Sequence, residues 1–430
     1  VKVAVISAHT CPLAALGGKE TGGMNVYVRE TCRELARRGV RVDVFTRSQD
    51  PHLPRVRTLA PGARVIHVPA GPQRPYNKYR LVEHLPAFVE RVQQLGEGKY
   101  DLIHSHYWLS GMAALELRRR WNVPVVHMFH TLGFLKNRAA RKREELEGSV
   151  RIRWEWEIAT RADALIASQP LERAQLIWHY DAPPQRIHVI PCGVDTSLFR
   201  PRNRREALQA LGLDPRPWLL FVGRLEPIKG LDTLLRAMGV LTQRFNGAQP
   251  GPALLIIGGD RDASDPSKSE GRLREQTKRL GLQDRVFFMG SRPQEELPLF
   301  YAASEACILP SRYESFGMVA LEAMACGTPV IASHVGGLGF TVMDGVTGFL
   351  VPEGDAEGLA GRIHRLLESP SLRDEFARRA KERAKDFTWD RVVSSILELY
   401  ERLLFRPTEA DLREGSLRSE EMGYGTKGIR

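Results

Sequence analysis

The sequence predicts an α/β protein made of two Rossmann-like, doubly wound units that face each other across a cleft. Three observations carry this. The chain opens on strand, glycine loop, helix and strand: "VKVAVIS", "LGGKETGG", "MNVYVRETCRELARRG", "VRVDVFT". The same order restarts in the second half with "PWLLFVGRLEPIKGLDTLLRAMGVLTQRF" and "ALLIIGG". The length, 430 residues, exceeds what one ordinary core organises.

In the first helix Met24, Val28, Cys32 and Leu35 form one apolar stripe, and Gly39 stops it. Further strands are expected at "ARVIHVP", "DLIHSHY", "VPVVHMF", "ADALIAS" and "IHVIP", then, after the restart, at "RVFFMG", "EACILP", "PVIAS" and "GFLVP". The halves join near "GVDTSLFRPRNRREA". The expected organisation is residues 1–198 as a first domain and 199–386 as a second. A helix over 387–405 returns to the first domain, and 406–430 is a poorly ordered polar tail. Ligands of such sheets bind beyond the carboxyl ends of the strands.

Composition bounds the function. Hydrophobic residues at 43% and charged residues at 26% describe a globular protein, and no apolar run approaches the roughly 20 residues of a bilayer span. The start lacks the layout of a secretory signal. Five scattered cysteines without a CxxC favour a reducing cytoplasm and argue against structural zinc. The net charge of +11 fits anionic small substrates, an acidic membrane surface or nucleic acid. No zinc-finger or RRM signature supports nucleic acid.

The most informative stretch is "YESFGMVALEAMACGTPV", Tyr313 to Val330. Ser315 reads as the N-cap of a helix over about 316–326, with Gly327 and Pro329 ending it. Phe316, Gly317, Met318 and Val319 then form a first turn whose free N–H groups suit an anion. Glu314 and Glu322 would lie roughly 12 Å apart along the axis. That is too far for a glycosidase pair, which needs about 5–9.5 Å. The spacing suits two clamps on an elongated ligand with a phosphate between them.

This segment resembles the E-x7-E signature of retaining GT-B glycosyltransferases of family 4, and the resemblance runs to about Phe405. "FVGRLEPIKGLDTLLRA" is similar to the family's second signature and "GGMNVYVRE" to its glycine loop. Within the family, "HSHYWLSG", "HTLGFLKN" and "ESFGMVALEAMACGTPVIASHVGG" look most like the enzymes that move N-acetylglucosamine onto an inositol phosphate. Those that move glucose onto fructose 6-phosphate come next.

The resemblance implies a hexosyltransferase that uses a UDP-sugar and requires no cofactor. On the donor side, Arg224 and Lys229 would hold the diphosphate with the N–H groups of Met318 and Val319. Gly22 and Gly23 would approach from the opposite wall, Glu322 would take the ribose hydroxyls, Glu314 the sugar, and Arg292 would flank the uracil. His130 would lie against the transferred sugar; the catalytic set is thus His130, Arg224, Lys229 and Glu314. A phosphorylated acceptor would meet Asn25, Lys78, Tyr107, Thr131 and Arg151. Arg138, Arg141, Lys142 and Arg143 either steer anions or form a solvated face. His104, His106 and His127 read as structural, and Asp260 and Asp262 of "GGDRD" as a loop, so no metal site is expected.

Two other classes fare worse. A dinucleotide oxidoreductase needs G-x-G-x-x-G after a strand, which "LGGKETGG" does not match, and Asp43 falls inside a strand. A basic binding protein would bind independently of Glu322 with steep salt dependence. A lipid acceptor, weak peripheral membrane contact and a homodimer stay open.

Overall fold

The computed structural model describes residues 1–14, 21–96, 98–245, 251–259 and 269–405. Asp260, Asp262 and the tail after Phe405 lie outside them.

Two parallel-sheet α/β units are present, the GT-B arrangement the sequence predicts. The first sheet runs, in space, Val56–Ala60, Ala63–Val68, Arg41–Arg47, Lys2–Ile6, Leu102–His106, Val125–Met128, Ala164–Ala167, Ile187–Val189. All neighbours pair in parallel except Val56–Ala60, which is antiparallel to Ala63–Val68. Sequence reading passed over that edge strand because its first three residues are exposed and it lacks a hydrophobic face. The Pro61–Gly62 turn between the two was its only local signal.

The second sheet runs Val286–Gly290, Ala253–Ile257, Trp218–Val222, Ala306–Leu309, Val330–Ser333, Gly348–Val351, parallel throughout. In each sheet the strand order reverses beside the unit's first strand, between Lys2–Ile6 and Leu102–His106 and between Trp218–Val222 and Ala306–Leu309. Such switch points open a crevice at the strands' carboxyl ends.

The chain passes between the units twice, side by side. Val194 donates to the Phe387 carbonyl at 2.7 Å and pairs with Thr388. The last helix, Trp389–Leu404, then lies on the first, Gly23–Arg37. Its Val392, Val393, Ile396, Leu399 and Tyr400 are buried in one apolar cluster with Val28, Cys32 and Leu35. Arg38 bonds Asp390 at 2.6 Å and Ser394 at 2.8 Å, and Tyr400 bonds the buried His104 at 2.7 Å. Among the described residues no helix is long and apolar enough to cross a membrane.

Candidate active site

A cavity of about 290 Å³ opens between the two sheets, lined by the loops that leave their carboxyl ends. From the first unit come His9, Thr10, the Gly22–Gly23 turn, Tyr107, His130 and Thr131; from the second, Gly223, Arg224, Lys229, Arg292, Glu314 and the segment 316–319.

The E-x7-E helix corrects one expectation. It spans Met318–Ala325, two residues later than Ser315 as a cap allows, and its N-cap is Gly317 at φ 91°. Glycine is required there: the backbone is left-handed, and a Cβ would stand 2.7 Å from Leu338. Phe316 and Gly317 therefore precede the helix, while the N–H groups of Met318 and Val319, its first two residues, lack intrahelical acceptors. Glu314 lies off the helix altogether, paired with Lys229 at 2.5 Å. Lys229 ends a short 3-10 turn, Pro227–Lys229, that the next residue anchors. Gly230 is left-handed at φ 69° and presses so close to the Pro310 carbonyl that a Cβ would sit 1.9 Å from it. Arg224 pairs with Glu226 at 2.9 Å. Across the cleft, a Cβ on Gly22 would lie 3.8 Å from Arg224, and one on Gly23 3.4 Å from the Met318 sulfur. The glycine loop and the helix start thus form two walls of one slot. Arg292 lines the slot too, over the Phe300 ring.

Glu322 also lines the cavity, 6% exposed. Its carboxylate accepts from Gln294 and from Tyr301, each at 2.9 Å. Burial outweighs these bonds and pushes its pKa up to about 7. Sequence reading missed both partners, because neither spacing nor local pattern ties them to Glu322.

Four described non-glycine residues have positive φ. Asn122 and Asp181 cap helices, where such residues take that shape cheaply. The other two, Tyr107 at 74° and His130 at 62°, follow adjacent strands and face the cavity. Strain of this kind, of order 1–3 kcal/mol each, is held where surroundings over-determine it. His130 is pinned by the His106 ring, nitrogen to nitrogen 3.0 Å, and edge-on by Tyr27. Burial, with His104 nearby, lowers its pKa to about 3, so it is neutral. His106 braces His130 from a buried position, and His104 and His127 bond Tyr400 and Ser105. Among the described residues, no cluster of three His, Cys, Asp or Glu side chains could hold a metal ion.

The residues expected to meet the acceptor are brought together unequally. Lys78, Tyr107 and Thr131 line the cavity, joined by Lys136, which sequence reading passed over. Arg151 is 1% exposed, and each of its three nitrogens is engaged. Nε bonds Glu155 at 2.7 Å; one terminal nitrogen bonds the Tyr107 hydroxyl at 3.0 Å and forms an ion pair with Glu147 at 2.9 Å. The other bonds the Thr131 carbonyl and hydroxyl at 2.9 and 3.0 Å. In this arrangement Arg151 sets Tyr107 and Thr131 from behind. Glu147 is buried, which pushes its pKa up, but Arg151, Lys136 and the Tyr79 hydroxyl outweigh that and hold it at about 2. Asn25 lines the cavity as well, and its side chain accepts from Gly22 N–H at 3.0 Å and donates to Thr10 and the Cys11 carbonyl, fixing the glycine turn. Of the basic cluster, Arg141 reaches across to the second unit, bonding Glu353 at 2.6 Å and lying 3.7 Å from Asp232.

Family comparisons match this geometry. Residues 21–198 match the model described as Glycosyltransferase Family 4, and 203–383 that described as Glycosyl transferases group 1. The D-inositol 3-phosphate glycosyltransferase of Actinosynnema mirum is 43% identical over 93% of this chain and 96% of its own. That of Acidothermus cellulolyticus is 43% identical over 96% and 93%. The sucrose-phosphate synthase of Thermosynechococcus elongatus superposes with a TM-score of 0.87 at 37% identity, over 95% of this chain and all of that one. With this sequence similarity across nearly its whole length, the chain belongs to the GT-B glycosyltransferases of family 4.

Proposed function

We propose that this glycosyltransferase moves N-acetylglucosamine from its UDP donor onto an inositol phosphate, with retention at the anomeric carbon. The supporting observation is a single cleft with two cationic ends. Arg224, Lys229 and the helix start line one wall, and Lys78 and Lys136 the other. This suits a diphosphate leaving group facing a phosphorylated acceptor. The inositol-phosphate enzymes that the chain resembles support the choice of acceptor.

The residues favour a front-face displacement. Glu314 is tied up in its ion pair and Glu322 lies beside the expected ribose, so neither is set to be a nucleophile. The bond from anomeric carbon to leaving phosphate oxygen breaks, and the bond to the acceptor oxygen forms on the same face. The acceptor proton passes to the departing phosphate. Arg224 and Lys229 stabilise the charge that develops there. Neutral His130 offers its backbone carbonyl to the cationic carbon and its ring to a sugar hydroxyl.

Transfer of glucose to fructose 6-phosphate is the second reading, favoured by the close superposition on sucrose-phosphate synthase. One panel separates them: UDP-, GDP- and ADP-sugars against inositol phosphate, fructose 6-phosphate and their unphosphorylated forms, reading released nucleotide and product. The expected outcome is UDP release coupled to a new inositol-phosphate glycoside. Turnover with fructose 6-phosphate alone selects the second reading, and no turnover of any nucleotide sugar ends both.

A further inference from the structure

Glu322 reaches the cleft with half of its bonding capacity already used. Gln294 donates to one carboxylate oxygen and Tyr301 to the other. Both partners are buried, Gln294 at 8% exposure and Tyr301 fully. A carboxylate has about four acceptor sites, so one on each oxygen is left for a ligand. Two acceptors side by side are what a vicinal diol asks for.

The chain of bonds continues past Gln294 into the other unit. The Gln294 carbonyl oxygen accepts from the guanidinium of Arg29, on the first helix. This fixes the amide's orientation from both ends. A guanidinium only donates and a carboxylate only accepts, so the oxygen must face Arg29 and the nitrogen Glu322. Arg29 is itself braced by Glu30 at 2.6 Å. Its charge is also felt at Glu322, where it opposes the effect of burial.

We propose that Gln294 is a positioning residue for the nucleotide: it aims the Glu322 carboxylate at the ribose diol and, through Arg29, links that aim to contact between the two units. The proposal rests on the reading of Glu322 as the ribose contact. Tyr301 anchors the second oxygen from within its own unit, so the interdomain influence enters through one oxygen only. When the units separate, Gln294 loses its fixed orientation, and Glu322 loses one of its two guides.

The test is UDP titration by calorimetry together with steady-state kinetics on Q294A, Q294E, R29A, R29A/Q294A and E322A. Q294A should weaken UDP binding about tenfold, as expected for a lost hydrogen bond to a charged group. The donor KM should rise in parallel, with kcat and acceptor KM nearly unchanged. Q294E has the same shape and keeps the Arg29 contact but sets a second carboxylate against Glu322; it should bind UDP more weakly than Q294A. R29A should cost about threefold in the wild-type background and nothing further once Gln294 is gone, the non-additivity of residues in one network. A UDP affinity within twofold of wild type for both Gln294 variants overturns the positioning role. Independent, multiplying effects of R29A and Q294A overturn the link between units. If E322A also leaves UDP affinity unchanged, the donor-site reading itself is at fault.

Discussion

The two walls of the cleft are built on opposite plans. The wall proposed for the donor is mostly backbone: a left-handed glycine, a helix start, and cations paired with carboxylates beside the slot. The wall proposed for the acceptor is a buried charge network in which the three nitrogens of Arg151 engage Glu147, Glu155, Tyr107 and Thr131. Its cavity residues are therefore held by groups that do not line the cavity themselves. The first plan leaves cations available to a leaving group and costs little stability when altered. The second fixes geometry by concentrating the wall's buried contacts on one arginine.

Substitutions on the two sides should separate rate from stability. Arg151→Ala removes the shared arginine from two buried carboxylates and should cost about 3–5 kcal/mol of stability, read as a fall in denaturant midpoint. Lys229→Ala should lower kcat by about 10²–10³-fold while leaving that midpoint within experimental error of wild type. Equal losses of stability for both would erase the contrast between the walls. A smaller effect is expected from pH. The Glu322 pKa is raised from 4.5 to about 7, so burial of its charge opposes folding. The stability it contributes is fully present below about 4.5 and lost as pH rises through 7. Nucleotide binding runs the other way, since the diol needs the carboxylate. UDP affinity should fall by up to about tenfold per unit below pH 7 and become flat in Glu322→Gln. Arg141→Ala, at a half-exposed interdomain pair, should change stability by less than about 1 kcal/mol.

The same contrast decided what the sequence disclosed. Both α/β units were legible from hydrophobic runs and turn residues, because parallel strands buried on both faces leave continuous apolar signals. The donor-wall residues sit in two short segments, 224–229 and 314–322, where spacing alone suggests a ligand. Even there the helix start was read early, because Ser315 is a good cap by type while Gly317 takes the left-handed turn. The acceptor wall draws single residues from distant segments, so only family resemblance pointed to Lys78, Tyr107 and Arg151. Nothing local marked Lys136, Glu147, Gln294 or Tyr301, whose roles arise from partners far away in the chain. Arg151 was legible as important but not as a residue behind the cavity wall; that difference is visible only once its donors have been placed.

The last helix reverses the order in which the molecule can be completed. Its residues from Trp389 onward cover Cys32 and Leu35 and supply Tyr400 to His104. On the ribosome, the first sheet is therefore synthesised early but closed late. Its apolar flank stays open while the whole second unit is made, a long exposure during which chaperone protection or aggregation competes with folding.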